Sequence, residues 1–574
     1  MSLKADANLD LSKWSTRLPD APADGRSDEE KAEMEFGRLT SEKWLSIAKC
    51  DPDHPFKAPI ADEPPYFVVI MTYLNYLVMI LIGHIRDFLG MLFTPQNYKA
   101  MLPQNGYPPW YASFESFYPR RLKGRMDDCF ARPIHGVPGR YTYCFNRVSP
   151  DGNKNFYYDG SSTPCLNLSS YNYLGFAQSV GRCTDDSIDS VRTHGTSAGG
   201  PCDVAGHSDL LRSTEKTIAK FVGKDDSLIF SMGYGTNAHL FTSLLNSKCL
   251  VISDSLNHSS TRFGIRLSGA AVKVFPHNDM AALESIIRES ISQGQTKTHR
   301  PWKKILVCVE GLYSMEGEYC NLPAVVALRE RYKFYLFIDE AHSIGALGEH
   351  GRGVTEYFNI PSSKIDIMMG TLTKSFGAAG GYIAATQDII DRLRVDFTTN
   401  IYGETPPPPV LQQIQTSMRI VAGELNGNEG KERLERIAFN SRYLRLGLKR
   451  LGYIVYGNDD SPVIPALLYT PAKMPAASRM FLKYGIAIVI VGYPATALIT
   501  SRIRFCVSSA LTKEDIDRIL AVANLIGDKM CLKFGSGMAG GEHHPGDWKK
   551  GIRPRWSLEE VLAKTPEDCK KEMY

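Results

Sequence analysis

The chain has 574 residues, of which 22% are charged and 43% hydrophobic, a composition that excludes a fully disordered chain, a collagen and a polytopic membrane protein. Its net charge is only +4, from 66 Lys and Arg against 62 Asp and Glu, so we expect no nucleic-acid partner. The 12 cysteines are scattered without CxxC spacing, which favours reduced thiols over a disulfide framework or a metal site.

The first 65 residues are polar, with acidic patches and little periodicity. We predict a polar and mostly flexible N-terminal tail at 1–65, with a short helix near residues 31–47.

The segment at 66–85 reads YFVVIMTYLNYLVMILIGHI and contains no formal charge. A helix of about 20 residues spans about 30 Å, the thickness of a bilayer hydrocarbon core. Thr72, Asn75 and His84 lower its hydrophobicity, so a buried or surface-lying helix is the alternative interpretation. We predict a membrane-associated helix at 66–85, followed at 86–150 by a linker and the start of the folded body.

From about residue 150, short and continuously apolar runs alternate with amphipathic stretches, a pattern typical of βαβ units with a parallel sheet buried on both faces. We therefore predict an α/β fold, with a large domain at 151–403, a smaller α+β domain at 404–535 and a polar tail at 536–574. The large domain has predicted strands at 227–230, 249–253, 305–309, 335–338 and 367–370, and helices at 280–292 and 322–332. The smaller domain follows a proline cluster and has predicted helices at 410–423 and 430–451 and strands at 453–456, 464–468 and 503–507.

Reactive side chains follow four of the predicted strands. Asp339 and His342 come after one strand, His258 after a second and Lys374 after a third, while a fourth leads into a glycine-rich helix start at Gly233. In open parallel sheets, ligands bind outside the carboxyl ends of the strands. We therefore expect an acid, two histidines, a lysine and a helix N-terminus to converge there.

This combination matches the chemical needs of pyridoxal 5′-phosphate (PLP). A lysine near hydroxyl groups can form a Schiff base with a carbonyl cofactor, and a buried carboxylate can pair with a protonated pyridine nitrogen. The N–H groups of a glycine-opened helix can bind a phosphate. Each feature alone is weak, because a lone lysine is usually solvated, an isolated histidine is usually structural and the DEAH string also occurs in helicases. No GxxxxGK[ST] loop accompanies that string, and the ordered set favours PLP.

Four strings carry a family resemblance, namely SDSLNHSS, VEGLYSMEGE, FIDEAHSIGALGEHGRG and GTLTKSFGAAGGY. They resemble the α-oxoamine synthases, which are fold-type I PLP-dependent transferases, and the similarity extends from about residue 166 to about residue 528. The resemblance implies a large domain with a mostly parallel sheet, a smaller C-terminal α+β domain and work as a dimer. The strings THRPWKKILV, YGNDDSPVIPALLY and VGYPATA are similar to the membrane-anchored eukaryotic members.

The resemblance implies roles for residues around the PLP ring. Lys374 corresponds to the lysine that bonds to PLP and later moves the Cα proton of the substrate. Asp339 corresponds to the carboxylate on the pyridine nitrogen, and His342 to the histidine on the ring hydroxyl. His258 corresponds to the histidine that stacks on the ring and orients the substrate.

The resemblance also implies a phosphate site and a substrate carboxylate site. Arg504 corresponds to the arginine that holds the substrate carboxylate, with Arg502 as its rival. The implied phosphate site is formed by the hydroxyl groups of Thr371 and Thr373 and by the backbone at Gly233 and Tyr234.

The activity implied is a decarboxylative condensation of L-serine with a long-chain acyl-CoA, palmitoyl-CoA, to 3-ketosphinganine, CoA and CO2. The implied partners are a homologous subunit that lacks the PLP lysine, small accessory and regulatory membrane subunits, and lipid of the endoplasmic reticulum, with the catalytic domain in the cytosol. One alternative is an α-oxoamine synthase that uses glycine and a short acyl-CoA. The membrane-like segment at 66–85 argues against this alternative. A second alternative is a non-catalytic scaffold subunit, and the presence of Lys374, Asp339, His342 and His258 together argues against it.

Three places depart from the family pattern. The stretch at 194–209 has no arginine after its glycine-rich part, and the stretch at 399–409 replaces a string richer in Ser and Thr and contains Glu404. Leu511 stands where a histidine is common. These departures bear on the acyl-CoA contacts and the dimer interface.

Overall fold

The computed structural model describes residues 15–22, 24–52, 55–59, 62–535 and 556–563. The strands in these ranges are β1 (Ile134–His135), β2 (Tyr141–Val148), β3 (Tyr157–Leu168), β4 (Asp226–Phe230), β5 (Leu250–Asp254), β6 (Ala271–Phe275), β7 (Ile305–Glu310), β8 (Tyr335–Asp339), β9 (Ile367–Thr371), β10 (Gly381–Ala385), β11 (Val463–Leu467), β12 (Ile486–Val491) and β13 (Arg502–Cys506). The α-helices are α1 (Asp28–Glu35), α2 (Tyr66–Phe93), α3 (Ser113–Arg121), α4 (Arg182–His194), α5 (Asp209–Val222), α6 (Gly233–Leu244), α7 (Ser259–Ser268), α8 (Met280–Gln293), α9 (Leu322–Tyr332), α10 (Val354–Tyr357), α11 (Gln387–Asp396), α12 (Thr398–Tyr402), α13 (Pro408–Val421), α14 (Glu429–Arg450), α15 (Lys473–Lys483), α16 (Lys513–Met530) and α17 (Leu558–Leu562).

The large sheet has seven strands in the order β4-β10-β9-β8-β7-β5-β6. Strand β10 runs antiparallel to both of its neighbours, and the other pairs are parallel. The five predicted strands of this domain are confirmed to within one or two residues. Two strands were missed: β10 contains glycine and alanines, which have low β propensity, and β6 is an edge strand that exposes Val272 and Val274.

Helices cover both faces of the large sheet, which explains why its inner strands are continuously apolar. Helices α6, α7 and α11 supply apolar side chains on one face. Helices α5, α8, α9 and α13 supply them on the other. Because the helices cover the two faces of the sheet, the carboxyl ends of β5, β7, β8 and β9 lie at an edge that these helices leave uncovered.

The second sheet has six strands in the order β1-β2-β3-β12-β13-β11, and α14, α15 and α16 pack on it. Strand β3 falls within the range predicted for the large domain, but it pairs in parallel with β12 and places Leu166 opposite Ile486. Helix α13, predicted in the smaller domain, packs against α4 and α5 of the large one. The predicted strand at 453–456 is reduced to one bridge, between Val455 and Ala466. Local patterns cannot reveal these partners, because they lie far apart in the chain.

The N-terminal region differs from the predicted flexible tail across its described residues. Helix α1 begins earlier than predicted, with a capping box at Ser27, and its Glu35 accepts a hydrogen bond of 2.7 Å from the Ser179 backbone N–H. Ser46 accepts a hydrogen bond of 3.0 Å from Arg442. Most of the predicted C-terminal tail lies outside the described residues, but α17 buries Val561 in the core of the smaller domain.

Helix α2 has 28 residues and is longer than predicted. Among the described residues, it is the one helix that is long and apolar enough to cross a membrane. One stripe of α2 is buried against the rest of the protein, from Val68 through Tyr76 to Asp87. Val68 packs near Ile454, and Asp87 forms ion pairs with Arg120 and Arg121 of α3. The remaining surface of α2 exposes large apolar side chains along its whole length.

Candidate active site

The predicted site residues meet at the carboxyl edge of the large sheet. Glu310 ends β7 and lies opposite Asp339, which ends β8. Lys374 follows β9, and its pKa responds to the charges of both carboxyl groups. His258 follows β5, and its pKa responds to Asp339 and Lys374. The sheet therefore brings together the acid, the lysine and the histidine that the sequence places at separate strand ends.

Asp339 is buried and both of its carboxylate oxygens are bound. Oδ2 accepts a hydrogen bond of 2.7 Å from the side-chain amide of Asn237, which lies on α6. Oδ1 accepts a hydrogen bond of 2.9 Å from the backbone N–H of Ala341. Because one hydrogen bond comes from α6 and the other from the turn after β8, the carboxylate keeps one orientation at the end of β8.

His258 caps the N-terminus of α7 and is linked to Asp339 through two side chains. Nδ1 lies 2.7 Å from the hydroxyl of Ser260, and Asn237 donates a bond of 3.2 Å to that hydroxyl. The backbone N–H of His258 donates to the carboxyl group of Glu310. Burial and the nearby Lys374 lower the pKa of His258, although Asp339 opposes them. The imidazole is thus favoured in its neutral form.

His342 lies deeper in the site, where Nδ1 is 2.8 Å from the hydroxyl of Tyr173. The ring of Tyr171 meets its ring edge-on, with centroids 5.2 Å apart. Burial is the main cause that holds the pKa of His342 well below its usual range, and the charges of Lys374 and Arg504 lower it further. A neutral imidazole with one nitrogen fixed by Tyr173 has its other nitrogen available for a ligand.

Lys374 lies in the loop between β9 and β10, which is held in place directly after the lysine. The hydroxyl of Ser375 donates a bond of 2.6 Å to the carbonyl of Ile344, and Phe376 is buried in the core. Burial lowers the pKa of Lys374 from its ordinary 10.5 to about 8, even though Asp339 and Glu310 raise it. A lysine whose amine is partly neutral near physiological pH is suited to act as a nucleophile or a base.

The candidate phosphate site lies where α6 begins. No side chain caps the first turn of this helix, so its N–H groups are available to a ligand. The hydroxyls of Thr371 and Thr373 lie 2.8 Å apart beside that turn. A Cβ atom added to Gly233 would lie 2.9 Å from Oγ1 of Thr371, so the glycine keeps the cradle open. Tyr234 is half exposed at the mouth of the site. These donors fit a phosphate group.

Arg504 and Arg502 lie on the same face of β13, but their partners differ. Arg502 donates a bond of 2.8 Å to the carbonyl of Met315 and lies 3.6 Å from the carboxylate of Glu316. Arg504 has no carboxylate partner among the described residues, and its buried Nε has no hydrogen-bond partner. Its Cζ lies 4.8 Å from the centroid of the Tyr171 ring, on which Lys374 also lies at 5.4 Å. Arg504 is therefore the arginine beside the lysine that has no carboxylate partner in the described residues.

Sequence reasoning missed three residues of this site: Tyr171, Asn237 and Glu310. Glu310 follows the same rule that identified Asp339, since each ends a buried parallel strand. Burial and Asp339 raise the pKa of Glu310 well above its usual range, which favours its neutral form. Asn237 and Tyr171 carry no such signal, because only the packing of α6 and of the segment after β3 brings them to the site.

The two stretches that depart from the family pattern lie against each other, away from the bonds described above. Pro201 forms an isolated bridge with Glu404, and Thr405 donates a bond of 3.3 Å to the carbonyl of Gly200. Leu511 is fully buried, and its carbonyl accepts a bond of 2.9 Å from Asn440. The described part of the chain has no group of three or more His, Cys, Asp or Glu side chains placed to hold a metal ion.

Comparison with known proteins agrees with this geometry. Residues 163–522 match the family described as aminotransferase class I and II. The serine palmitoyltransferase 2 of Kluyveromyces lactis is 59% identical over 98% of this chain and 99% of its own length. That of Saccharomyces cerevisiae is 56% identical over 97% of this chain and 98% of its own length. The solved serine palmitoyltransferase of Sphingomonas wittichii has the same fold, with a TM-score of 0.63 and 24% identity over 74% of this chain and 97% of that one.

Proposed function

The chain belongs to the aminotransferase class I and II family, within which it is a homologue of the serine palmitoyltransferases, and we propose how its residues carry out the serine palmitoyltransferase reaction. It is a PLP-dependent acyltransferase that condenses L-serine with a long-chain acyl-CoA, palmitoyl-CoA. The products are 3-ketosphinganine, CoA and CO2, and the reaction is the first step of sphingolipid synthesis. The observation that carries the residue assignment is the meeting of Lys374, Asp339 and His258 at one sheet edge.

The residues present fit PLP. The open cradle at Gly233 and the hydroxyls of Thr371 and Thr373 would hold its phosphate. Asp339 would face the pyridine nitrogen, and His342 the ring hydroxyl. When bound, PLP supplies a conjugated ring that withdraws electrons from the Cα atom of the amino acid.

The chain's own groups position serine and move its proton. Arg504 binds the serine carboxylate, since it is a buried cation without an acidic partner in the described residues. Lys374 takes the proton from Cα of serine on Nζ, for which its lowered pKa of about 8 suits it. His258 would pack against the PLP ring and help to orient serine so that its Cα proton faces Lys374. Cα then attacks the thioester carbon, CoA leaves as a thiolate, the carboxyl group is lost as CO2 and Cα is reprotonated.

The exposed apolar face of α2 supports a membrane location for the enzyme. The buried stripe from Val68 to Asp87 covers about 28 Å at 1.5 Å per residue, and groups of the folded body contact it throughout. A helix packed on the body along that length lies parallel to the membrane plane with its other face in lipid. Trp110, in the loop before α3, and Phe114, in the first turn of α3, are 87% and 91% exposed and add aromatic anchors.

Further partners are part of the proposal. We assign the protein to the endoplasmic reticulum membrane with its catalytic domain in the cytosol, as a heterodimer with a homologous subunit that lacks the PLP lysine. Small accessory and regulatory membrane subunits complete the complex. The support for membrane subunits is the uncovered apolar surface of α2, and the support for a catalytic role within the heterodimer is the complete set of Lys374, Asp339 and His342 in this chain.

One experiment tests the function directly. The full-length chain is purified from membranes in detergent with the subunits that accompany it, and turnover is measured with serine or glycine across a series of acyl-CoA chain lengths. We expect turnover with serine that is highest near sixteen carbons. A preference for glycine with succinyl-CoA or acetyl-CoA would contradict the proposal. Wild-type protein without the visible absorbance of lysine-bound PLP would favour the scaffold alternative.

A further inference from the structure

A partly buried polar cluster lies behind the site, centred on His277, which follows β6. Nδ1 of His277 lies 3.0 Å from both carboxylate oxygens of Asp254. Nε2 lies 3.1 Å from the side-chain amide nitrogen of Asn278 and 3.5 Å from a carboxylate oxygen of Glu318. The ring also meets Tyr313 edge-on, with centroids 4.3 Å apart. The imidazole is thus fixed on every polar edge, yet it touches none of the reacting groups.

One connection runs from His277 to His258 through Asp254. Asp254 ends β5, and its Oδ1 also accepts a bond of 2.9 Å from the backbone N–H of Leu256. The N–H of Asn257 donates a bond of 3.3 Å to the carbonyl of Asp254 and so closes the same turn. That turn delivers His258 to the start of α7. Holding the Asp254 carboxylate therefore holds the turn on which His258 is carried.

A second connection reaches His258 from the side of β7. The hydroxyl of Tyr313, whose ring packs on His277, accepts a bond of 3.2 Å from the backbone N–H of Glu310. The carboxyl group of Glu310 accepts the bond from the His258 backbone N–H. Two separate chains of contacts thus begin at one imidazole and end at one catalytic histidine.

A third connection leads to the candidate carboxylate arginine. Glu318 lies in the loop after β7, and its carbonyl accepts a bond of 2.9 Å from the N–H of Tyr313, which closes the loop. The same loop presents the carbonyl of Ser314 and the sulfur of Met315 to Arg504, at 3.5 and 3.6 Å. The position of this loop therefore limits where the guanidinium can lie.

From these contacts we propose that His277 is a positioning residue that locks the turn carrying His258 to the loop contacting Arg504. The inference rests on the proposed roles of His258 and Arg504. Both groups act on serine, so the lock sets the affinity of the site for serine and leaves acyl-CoA binding largely unaffected. A partly buried hydrogen-bond network whose polar groups are paired rigidifies the segments it joins, which is the physical basis of this role.

The test uses three variants of the full-length chain that divide the contacts of His277. His277→Asn keeps a donor near the position of Nδ1 and retains the bond to Asp254. His277→Gln reaches the position of Nε2 and retains the contact to Glu318. His277→Leu keeps apolar volume and no polar contact. His350→Asn is the matched control, because His350 also bonds a carboxylate, that of Glu356 at 2.7 Å, but on the surface.

Amide hydrogen exchange, measured on protein stripped of its cofactor, tests whether His277 holds the two segments in place and needs no turnover. We expect His277→Leu to speed exchange in both segments, 254–258 and 311–319. We expect His277→Asn to protect 254–258 better than 311–319, and His277→Gln to do the reverse. The control should change neither segment. Equal protection of the two segments by Asn and Gln, or exchange in all variants within about twofold of wild type, would overturn the proposal.

Kinetics of the loaded enzyme separate positioning from a merely structural role. The KM for serine should rise about tenfold in His277→Leu while the KM for acyl-CoA stays within about twofold. An unchanged KM for serine with a lower yield of folded protein would reduce His277 to a stability residue and contradict the inference. If His277→Leu does not fold, the comparison of Asn with Gln decides. If wild type shows no turnover with serine, the proposed function fails, whereas the exchange experiment still tests the lock.

Discussion

The side-chain amide of Asn237 donates a hydrogen bond of 2.7 Å to Oδ2 of Asp339, although the two residues are 102 positions apart in the chain. The same amide nitrogen donates to the hydroxyl of Ser260, which meets Nδ1 of His258. One amide from α6 therefore aligns both the carboxylate that would face the PLP nitrogen and the histidine that would stack on its ring.

This relationship makes Asn237→Ala the first prediction. Loss of a hydrogen bond to a charged group should weaken PLP retention by about tenfold to a hundredfold, measured by dialysis and the visible absorbance of the bound cofactor. Asn426→Ala is the control, because Asn426 bonds Glu429 at the surface. Retention equal to wild type in Asn237→Ala would show that Asp339 is aligned without it.

The pH dependence of cofactor capture follows from Lys374. Burial lowers its pKa to about 8, so the amine gains its neutral, reactive form as the pH rises through that value. The rate of PLP binding to stripped protein should increase from pH 7 to pH 9 with a midpoint near 8, followed by absorbance in a stopped-flow instrument.

Two variants check the assignment of that midpoint. Asp339 raises the pKa of Lys374, so Asp339→Asn should move the midpoint to lower pH. Lys374→Ala should give neither the visible band nor turnover. A midpoint that does not move in Asp339→Asn would assign the titration to another group.

The choice between the two arginines of β13 gives the third prediction. Arg504→Gln should raise the KM for serine by about thirtyfold to a hundredfold, because a charged pair with the substrate carboxylate is lost. Arg502→Gln should raise it about tenfold less, since Arg502 is occupied by Glu316 and the carbonyl of Met315. A larger effect from Arg502→Gln would exchange the two assignments.

Glu310 gives a prediction about protonation. Burial raises its pKa well above the usual range, which favours the neutral acid, and Gln is a close mimic of that form. Glu310→Gln should retain kcat/KM within about threefold, because its carbonyl can still accept the His258 N–H bond. Glu310→Ala should lose at least about tenfold, because that N–H is left without a partner. Equal losses in both variants would indicate that the ionised carboxylate is needed.

The membrane proposal predicts a loss of lipid binding when the aromatic anchors at the start of α3 are removed. Trp110→Ser combined with Phe114→Ser should weaken binding to phosphatidylcholine and phosphatidylserine vesicles about tenfold, measured by flotation. Tyr335→Ser is the control, because Tyr335 is an exposed aromatic residue of the large domain. Unchanged binding of the double variant with its partners removed would assign this surface to a protein subunit.

The sequence by itself determined the composition of the catalytic edge. Asp339, His258 and Lys374 each follow a short run of apolar residues, and parallel strands buried on both faces must bring their carboxyl ends to one edge. That rule depends only on local pattern and the direction of the chain. The apolar helix could also be recognised from its length, although its extension to Phe93 could not.

Only the tertiary structure distinguishes the surroundings of Arg504 from those of Arg502, brings Asn237 and Tyr171 to the site, and places β3 beside β12. Each of these outcomes depends on which distant segments become neighbours. Two arginines two residues apart on a strand are equivalent in sequence, and they become different when one meets Glu316 and the other is left with an unpaired, buried Nε. The physical reason is that a side chain's charge state and freedom are set by the groups that packing places around it, and those groups come from elsewhere in the chain.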